Sequence, residues 1–331
     1  MPIVAHSSLP AFAALRRERL PVVAAGNADP HLPSLRIGLL NLMPDAALQA
    51  TERQFLRLVS AYGDAANLYV FPFAVRADYR ADVALAHIDA YYPTFDALCG
   101  EHLDALIITG ANPAARDITT EAFWDPMIEI IEWGRDEVDS VLCSCLATHA
   151  AMQHYHDAPR AELPERRWGV YAHEIVVPDH PLLRGVDAPL YAPHSHRYDV
   201  SRAAMERAGV TVLAVSDEAG VHLAVGNHGS NFVFFQGHPE YDAISLLKEY
   251  KREVQRFLTG SRRTYPPFPE HYLDANARRR LDAYQRQVTE SDFAQETIPR
   301  FPEDELAASC RNSWREAGMR IYRNWLAGMR R

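Results

Sequence analysis

A short apolar run, Val141-Leu142-Cys143-Ser144, ends on Cys145 and passes straight into Leu146-Ala147-Thr148-His149-Ala150-Ala151-Met152, residues that favour a helix. A buried strand feeding a helix with no loop between them is the repeating unit of a parallel, helix-covered sheet. The junction also predicts a sharp turn at Cys145. There the thiol is lifted clear of the sheet edge, and the helix N-terminus behind it supplies N–H groups and a partial positive charge that favour thiolate. Downstream, the strand-like Asn231-Phe232-Val233-Phe234-Phe235 leads to Gly237-His238-Pro239-Glu240. A histidine and a glutamate two residues apart at that strand end supply a base and its orienting carboxylate, so Cys145, His238 and Glu240 make a candidate triad. Cys143 is the competing thiol. It lies inside the strand, where a cysteine is usually a small packed hydrophobe.

The rest of the chain repeats the pattern. Residues 35–42 read as a buried strand, and 46–61 as a helix with Leu48, Phe55, Leu56 and Val59 at helical spacing. Strands follow over 67–74 and 104–110, then an amphipathic helix over 123–137 and a strand over 140–144. This alternation predicts an α/β fold with a mostly parallel sheet flanked by helices and ligands at the carboxyl ends of the strands. Thr109-Gly110-Ala111 falls at one such end, so the N–H of Leu146 and that of Ala111 are the expected oxyanion donors. Shorter runs over 169–177, 211–216, 221–225 and 231–235 suggest an antiparallel wing. Residues 1–34, helical near 11–19, read as an N-terminal arm, 35–260 as the catalytic domain, and 261–331 as a helical C-terminal extension with helices over 274–289 and 312–329.

A formal charge of -9 and a pI near 5.9 argue against a nucleic-acid surface. Four cysteines are too few and too irregular for a disulfide framework, which points to a reducing compartment. No apolar run is long enough to span a membrane, and residues 1–10 lack the basic start and apolar core of a signal peptide, so a cytoplasmic location is expected. His194 and His196 are close in sequence, but no second spaced pair accompanies them and no metal is expected.

Several motifs carry a resemblance: Ile37-Gly38-Leu39-Leu40-Asn41-Leu42-Met43-Pro44, Gln54-Phe55-Leu56-Arg57-Leu58, Thr109-Gly110-Ala111, Gly169-Val170-Tyr171, Ala192-Pro193-His194-Ser195 and Gly237-His238-Pro239-Glu240-Tyr241-Asp242-Ala243. In this order and near this spacing they resemble the homoserine O-succinyltransferase family, and Leu15-Arg16, Ser313-Trp314-Arg315 and Asn324-Trp325-Leu326 extend the likeness over almost the whole chain. The resemblance implies a class I glutamine amidotransferase-like fold, usually homodimeric. It also implies ping-pong transfer from acyl-CoA to the γ-hydroxyl of L-homoserine in methionine biosynthesis, with succinyl-CoA as co-substrate and no further cofactor. By position, Cys145 becomes the acylated nucleophile, His238 the base and Glu240 its orienter. Arg252 falls on the arginine expected to hold the homoserine carboxylate, and Ser195 on a substrate-contacting serine. Arg166 stands where the family commonly has lysine, and His196 interrupts the family's usual His-Ser-Arg-Tyr. Ala114 occupies the position that discriminates acyl donors, small with succinyl-CoA and glutamate with acetyl-CoA. A methyl group leaves room and adds no negative charge, which favours succinyl. Acetyl-CoA as donor, L-serine as acceptor and a non-catalytic binding role remain alternatives. A glutamine amidotransferase reading is opposed by Ser144 and Leu146-Ala147, where such enzymes normally carry glycines.

Overall fold

The computed structural model describes residues 3–63, 65–75, 80–227, 231–290 and 299–329. Residues 1–2 of the expected arm, and 291–298 and 330–331 of the expected extension, lie outside these. The strands are β1 (Ile3–Ala5), β2 (Val22–Ala24), β3 (Ser34–Leu40), β4 (Asn67–Phe73), β5 (Ala105–Ile108), β6 (Ser140–Ser144), β7 (Ala161–Ile175), β8 (Leu190–Asp199), β9 (Thr211–Ser216), β10 (Gly220–Asn227) and β11 (Asn231–Phe235). They form one sheet in the order β2-β1-β4-β3-β5-β6-β11-β10-β9-β7-β8. Every pair from β2 to β11 is parallel and every pair beyond it antiparallel. A mostly parallel sheet flanked by helices is the architecture that the strand-helix alternation predicts.

The helices are α1 (Pro10–Arg17), α2 (Leu48–Val59), α3 (Asp82–Tyr91), α4 (Phe95–Cys99), α5 (Trp124–Glu137), α6 (Leu146–His156), α7 (Arg202–Arg207), α8 (Ser245–Leu258), α9 (Ala275–Glu290), α10 (Glu303–Ala307) and α11 (Arg315–Ala327). Side chains alternate across a strand, so each central strand feeds two cores. Ile107, Leu142 and Phe235 pack with Phe12 of α1, Phe55 and Leu56 of α2, and Tyr322 and Trp325 of α11. Leu106, Ile108, Val141, Cys143 and Phe234 pack on the opposite face with Met127 and Ile131 of α5 and Ala150 of α6. Each fully buried large apolar side chain contributes about 1.5–3 kcal/mol. A third cluster joins Trp168, Tyr250, Leu281, Phe301, Leu306 and Trp314. No helix among the described residues is long and apolar enough to cross a membrane.

Three features depart from the sequence reading. The arm contributes β1 and β2 to the sheet, with Ile3 opposite Leu68 of β4; three-residue strands are too short to show a period. The arm is also tied to the site, because Arg57 of α2 bridges Glu18 at 2.9 Å and Asp242, two residues past Glu240, at 2.5 Å. β7 starts at Ala161, its first half mostly exposed and without an apolar alternation, and its partner β8 carries Pro193, His194 and His196 rather than an apolar run. β11, read as part of the wing, is instead the seam. It runs parallel to β6 and antiparallel to β10.

Candidate active site

Cys145 sits where β6 becomes α6, with φ +51° and ψ −107°. A non-glycine residue at positive φ is costly and persists only where its surroundings hold it. Here the Cys145 N–H donates to the Phe235 carbonyl at 2.7 Å, and the Cys145 carbonyl accepts from Thr148 N–H at 3.0 Å. The turn is thus fixed between β11 and the first turn of α6. The N–H of Leu146 is in that first turn and has no carbonyl four residues back in the helix to receive it. Gly110 closes the other side, since a Cβ there would lie 3.3 Å from Cys145 Cβ and 3.8 Å from Leu146 N. Gly110 and the Cys145 turn therefore meet. Cys143 is wholly buried, and burial pushes its thiol up.

His238 follows β11, held by its N–H donating to the Pro193 carbonyl at 2.8 Å. Its Nδ1 is 2.8 Å from Glu240 Oε1, and both side chains are buried. Burial alone would push the imidazole down. The Glu240 carboxylate and the hydrogen-bonding Cys145 side chain outweigh burial and hold it well above the usual histidine range. With Nδ1 on Glu240, Nε2 is the nitrogen left to face the thiol. Tyr241 stacks on the His238 ring at 4.4 Å between centroids and donates its hydroxyl to Glu249 Oε1 at 2.7 Å.

Of the expected substrate-contacting residues, two come together. Arg166 Nη2 donates to Ser195 Oγ at 2.6 Å and to Glu249 Oε2 at 3.1 Å. Ser195 Oγ donates to the same Oε2 at 2.6 Å, as does Trp168 Nε1 at 2.9 Å, and the Arg166 guanidinium lies 4.4 Å from the Trp168 ring centroid. Arg252, three residues past Glu249 on α8, is exposed and makes no ion pair among the described residues. Ala114 is exposed in the loop after β5. Glu249, the hub of this cluster, escaped the sequence reading because Lys248, Glu249, Lys251 and Arg252 together look like a solvated helix face. Its spacing of three from Arg252 was the available signal.

Behind His238 lies a belt of five buried histidines that the sequence did not reveal. His194 Nε2 is 3.0 Å from His173 Nε2, and the His222 ring is 5.1 Å from that of His173. His149 Nε2 is 3.0 Å from Gln236 Oε1, and His196 Nδ1 is 3.3 Å from the Gln236 carbonyl. Burial pushes His149 down to about 3 and His173 to about 4, and drives His194, His196 and His222 well below the usual range. The belt is therefore a set of neutral imidazoles. Gly237 is what lets it close around the strand, because a Cβ there would lie 2.6 Å from His222 Nδ1 and 2.8 Å from His194 Nε2. Gly237→Ala should overpack this site at a cost of about 1–3 kcal/mol. A lower thermal midpoint is the expected result, and an unchanged midpoint would show that the belt yields. Elsewhere, Glu218, Glu270 and His271 bring ligand-type atoms within 4.8 Å of one another, but all three are exposed. His271 already pairs with Glu218 at 2.8 Å, and Glu270 accepts from Tyr171 at 2.7 Å.

A mostly parallel α/β sheet that presents a cysteine at a strand-to-helix turn, beside a buried histidine-glutamate pair at the adjacent strand end, defines the class: an α/β protein with a Cys-His-Glu site. Two solved structures titled as glutamine amidotransferases are distantly similar. The one from Methylobacillus flagellatus has a TM-score of 0.47 at 14% identity, covering 91% of this chain and 96% of its own; the one from Thermotoga maritima has 0.45 at 11%, covering 88% and 97%. The family model described as HTS: Homoserine O-succinyltransferase matches residues 2–329, and the chain belongs to that family. Among curated relatives of that name, the protein of Allochromatium vinosum is 47% identical over 98% of this chain and 92% of its own length. That of Thioalkalivibrio nitratireducens is 46% identical over 99% and 93%.

Proposed function

We propose that the chain transfers a succinyl group from succinyl-CoA to the γ-hydroxyl of L-homoserine, through a thioester on Cys145, in methionine biosynthesis. The observation that carries this reading is the Cys145 turn beside the His238–Glu240 pair, in a chain that matches the family over residues 2–329. His238 takes the thiol proton as Cys145 Sγ attacks the thioester carbonyl. The oxyanion is met by the N–H groups of Leu146 and Ala111, and the intermediate expels CoA, whose thiolate takes the proton from His238. One C–S bond replaces another, so this half-reaction needs little driving force. In the second half the homoserine hydroxyl gives its proton to His238 while its oxygen attacks the acyl carbon. The C–S bond then breaks and Cys145 recovers the proton. Glu240 orients the imidazole and stabilises its cation, and such positioned acid-base help contributes about 10² to 10⁴ in rate.

Homoserine is bound in this reading by Arg252 through its carboxylate, with Ser195 and Arg166 beside it; a guanidinium suits a carboxylate through paired charge-assisted hydrogen bonds. Ala114 leaves space for the longer acyl group. A homodimer in the cytoplasm, built from an arm (1–34), a catalytic domain (35–260) and a helical extension (261–331), belongs to the same reading.

The test is to mix the protein with succinyl-CoA in the absence of homoserine. One equivalent of CoA thiol should appear in a burst, with an intact-mass gain of one succinyl group that L-homoserine then discharges. Release of CoA only from acetyl-CoA, or discharge only by L-serine, would overturn the donor or the acceptor. No acyl-enzyme from either donor would overturn the transferase reading.

A further inference from the structure

We propose that Arg160 holds the free carboxylate of the succinyl group and thereby sets the choice of acyl donor, an assignment that rests on the transferase reading above. Arg160 precedes β7, and its Nη2 donates to the carbonyls of Ala115 at 2.9 Å and Arg116 at 3.0 Å. These carbonyls immediately follow Ala114. The same loop begins at Gly110, which lies against Cys145. One short loop thus runs from the nucleophile to the Arg160 guanidinium, with the donor-discriminating position between them.

The state of the guanidinium points to an anionic ligand. It is half-buried and lies 4.1 Å from the Tyr198 ring centroid. Among the described residues it has no carboxylate within ion-pair distance, whereas Arg166 is neutralised by Glu249. Its Nε is buried with no hydrogen-bond partner. Burial pushes the guanidinium down, while Tyr198, Cys145 and the carboxylates of Glu121 and Asp117, which lie beyond ion-pair distance, pull it up. Arginine carries five N–H donors, and only Nη2 is engaged by the loop, so Nε and Nη1 remain for a ligand. An acyl group on Cys145 that ends in a carboxylate supplies the direct contact that Glu121 and Asp117 do not make. An acetyl group cannot. Ala114 admits the longer chain and Arg160 pairs with its end, so space and charge act together.

The experiment compares succinyl-CoA with butyryl-CoA, which has the same chain length without the carboxylate, in wild type, Arg160→Gln and Arg160→Lys. The readouts are acyl-enzyme formation by intact mass, kcat/KM for CoA release, and the thermal midpoint. Loss of one charge-assisted pairing should lower the succinyl-to-butyryl ratio about 10- to 100-fold in Arg160→Gln, with most of the ratio kept in Arg160→Lys. An equal fall with both donors, or an unchanged ratio, would reduce Arg160 to a structural strut for the loop and overturn the proposal. Absence of succinyl transfer in the wild type would instead overturn the transferase reading itself, so the two failures are distinguishable.

Discussion

Cys145→Ala is expected to lower homoserine-dependent CoA release from succinyl-CoA by about 10⁴- to 10⁶-fold, the range seen when one member of a triad is removed. The effect is large because every covalent step passes through one sulfur, and the turn leaves no other nucleophile in its place. Cys143 cannot substitute. It is two residues back on β6, wholly buried in the core that contains Val141 and Phe234, with burial holding its thiol up. Cys143→Ala should therefore cost packing energy with little change in turnover, and the pair of variants separates the two thiols cleanly. Residual activity of Cys145→Ala within tenfold of wild type would remove Cys145 from the chemistry. So would acyl-enzyme of undiminished yield in the same variant.

What the sequence made legible follows from where physics writes a local signal. β6, the Cys145 turn and α6 were readable because an apolar run meeting a helix-forming run leaves only one backbone solution at the junction. The His238–Glu240 pair was readable because both side chains belong to one turn. β1 and β2 were not, since three residues carry no period and their pairing with β4 is a long-range event. Glu249 was hidden because a half-buried carboxylate that collects Arg166, Ser195, Trp168 and Tyr241 looks, in one dimension, like any charged helix position. Arg160 was hidden for the same reason. Its significance lies in what it lacks among the described residues, a carboxylate at ion-pair distance, and that is visible only once its neighbours are placed. The histidine belt is the extreme case, because its members come from α6, β7, β8 and β10 and, apart from His194 and His196, share no spacing.

That belt carries the second large effect, a steep loss of stability as the solution is acidified below about pH 6.5. An unfolded histidine takes up a proton near that value, whereas the five belt imidazoles stay neutral in the folded protein because burial holds their pKa values down. The folded pKa values lie below the unfolded one, so the unfolded state binds more protons in this window and stability rises with pH through it. Read downward, the stability is intact above about pH 6.5 and drains as pH falls toward the folded values. Each imidazole that stays neutral costs on the order of 1 kcal/mol per pH unit below the unfolded pKa, so the belt removes a sizeable part of the stability typical of a domain. His238 works in the opposite sense. Its pKa is raised on folding, so its contribution is fully present below about pH 6.5 and is lost as pH climbs through the folded value, which offsets about one of the five. Urea midpoints measured from pH 7.5 down to 5 should therefore fall steeply, before most carboxylates titrate. His222→Phe should make the fall shallower by about one proton, because the ring already packs against Phe235 and its Nδ1 has no hydrogen-bond partner to lose. A flat profile over that range would mean that the belt opens to water or shares protons when folded. Because Gly237 joins the belt directly to His238, such opening would be expected to loosen the His238–Glu240 pair as well.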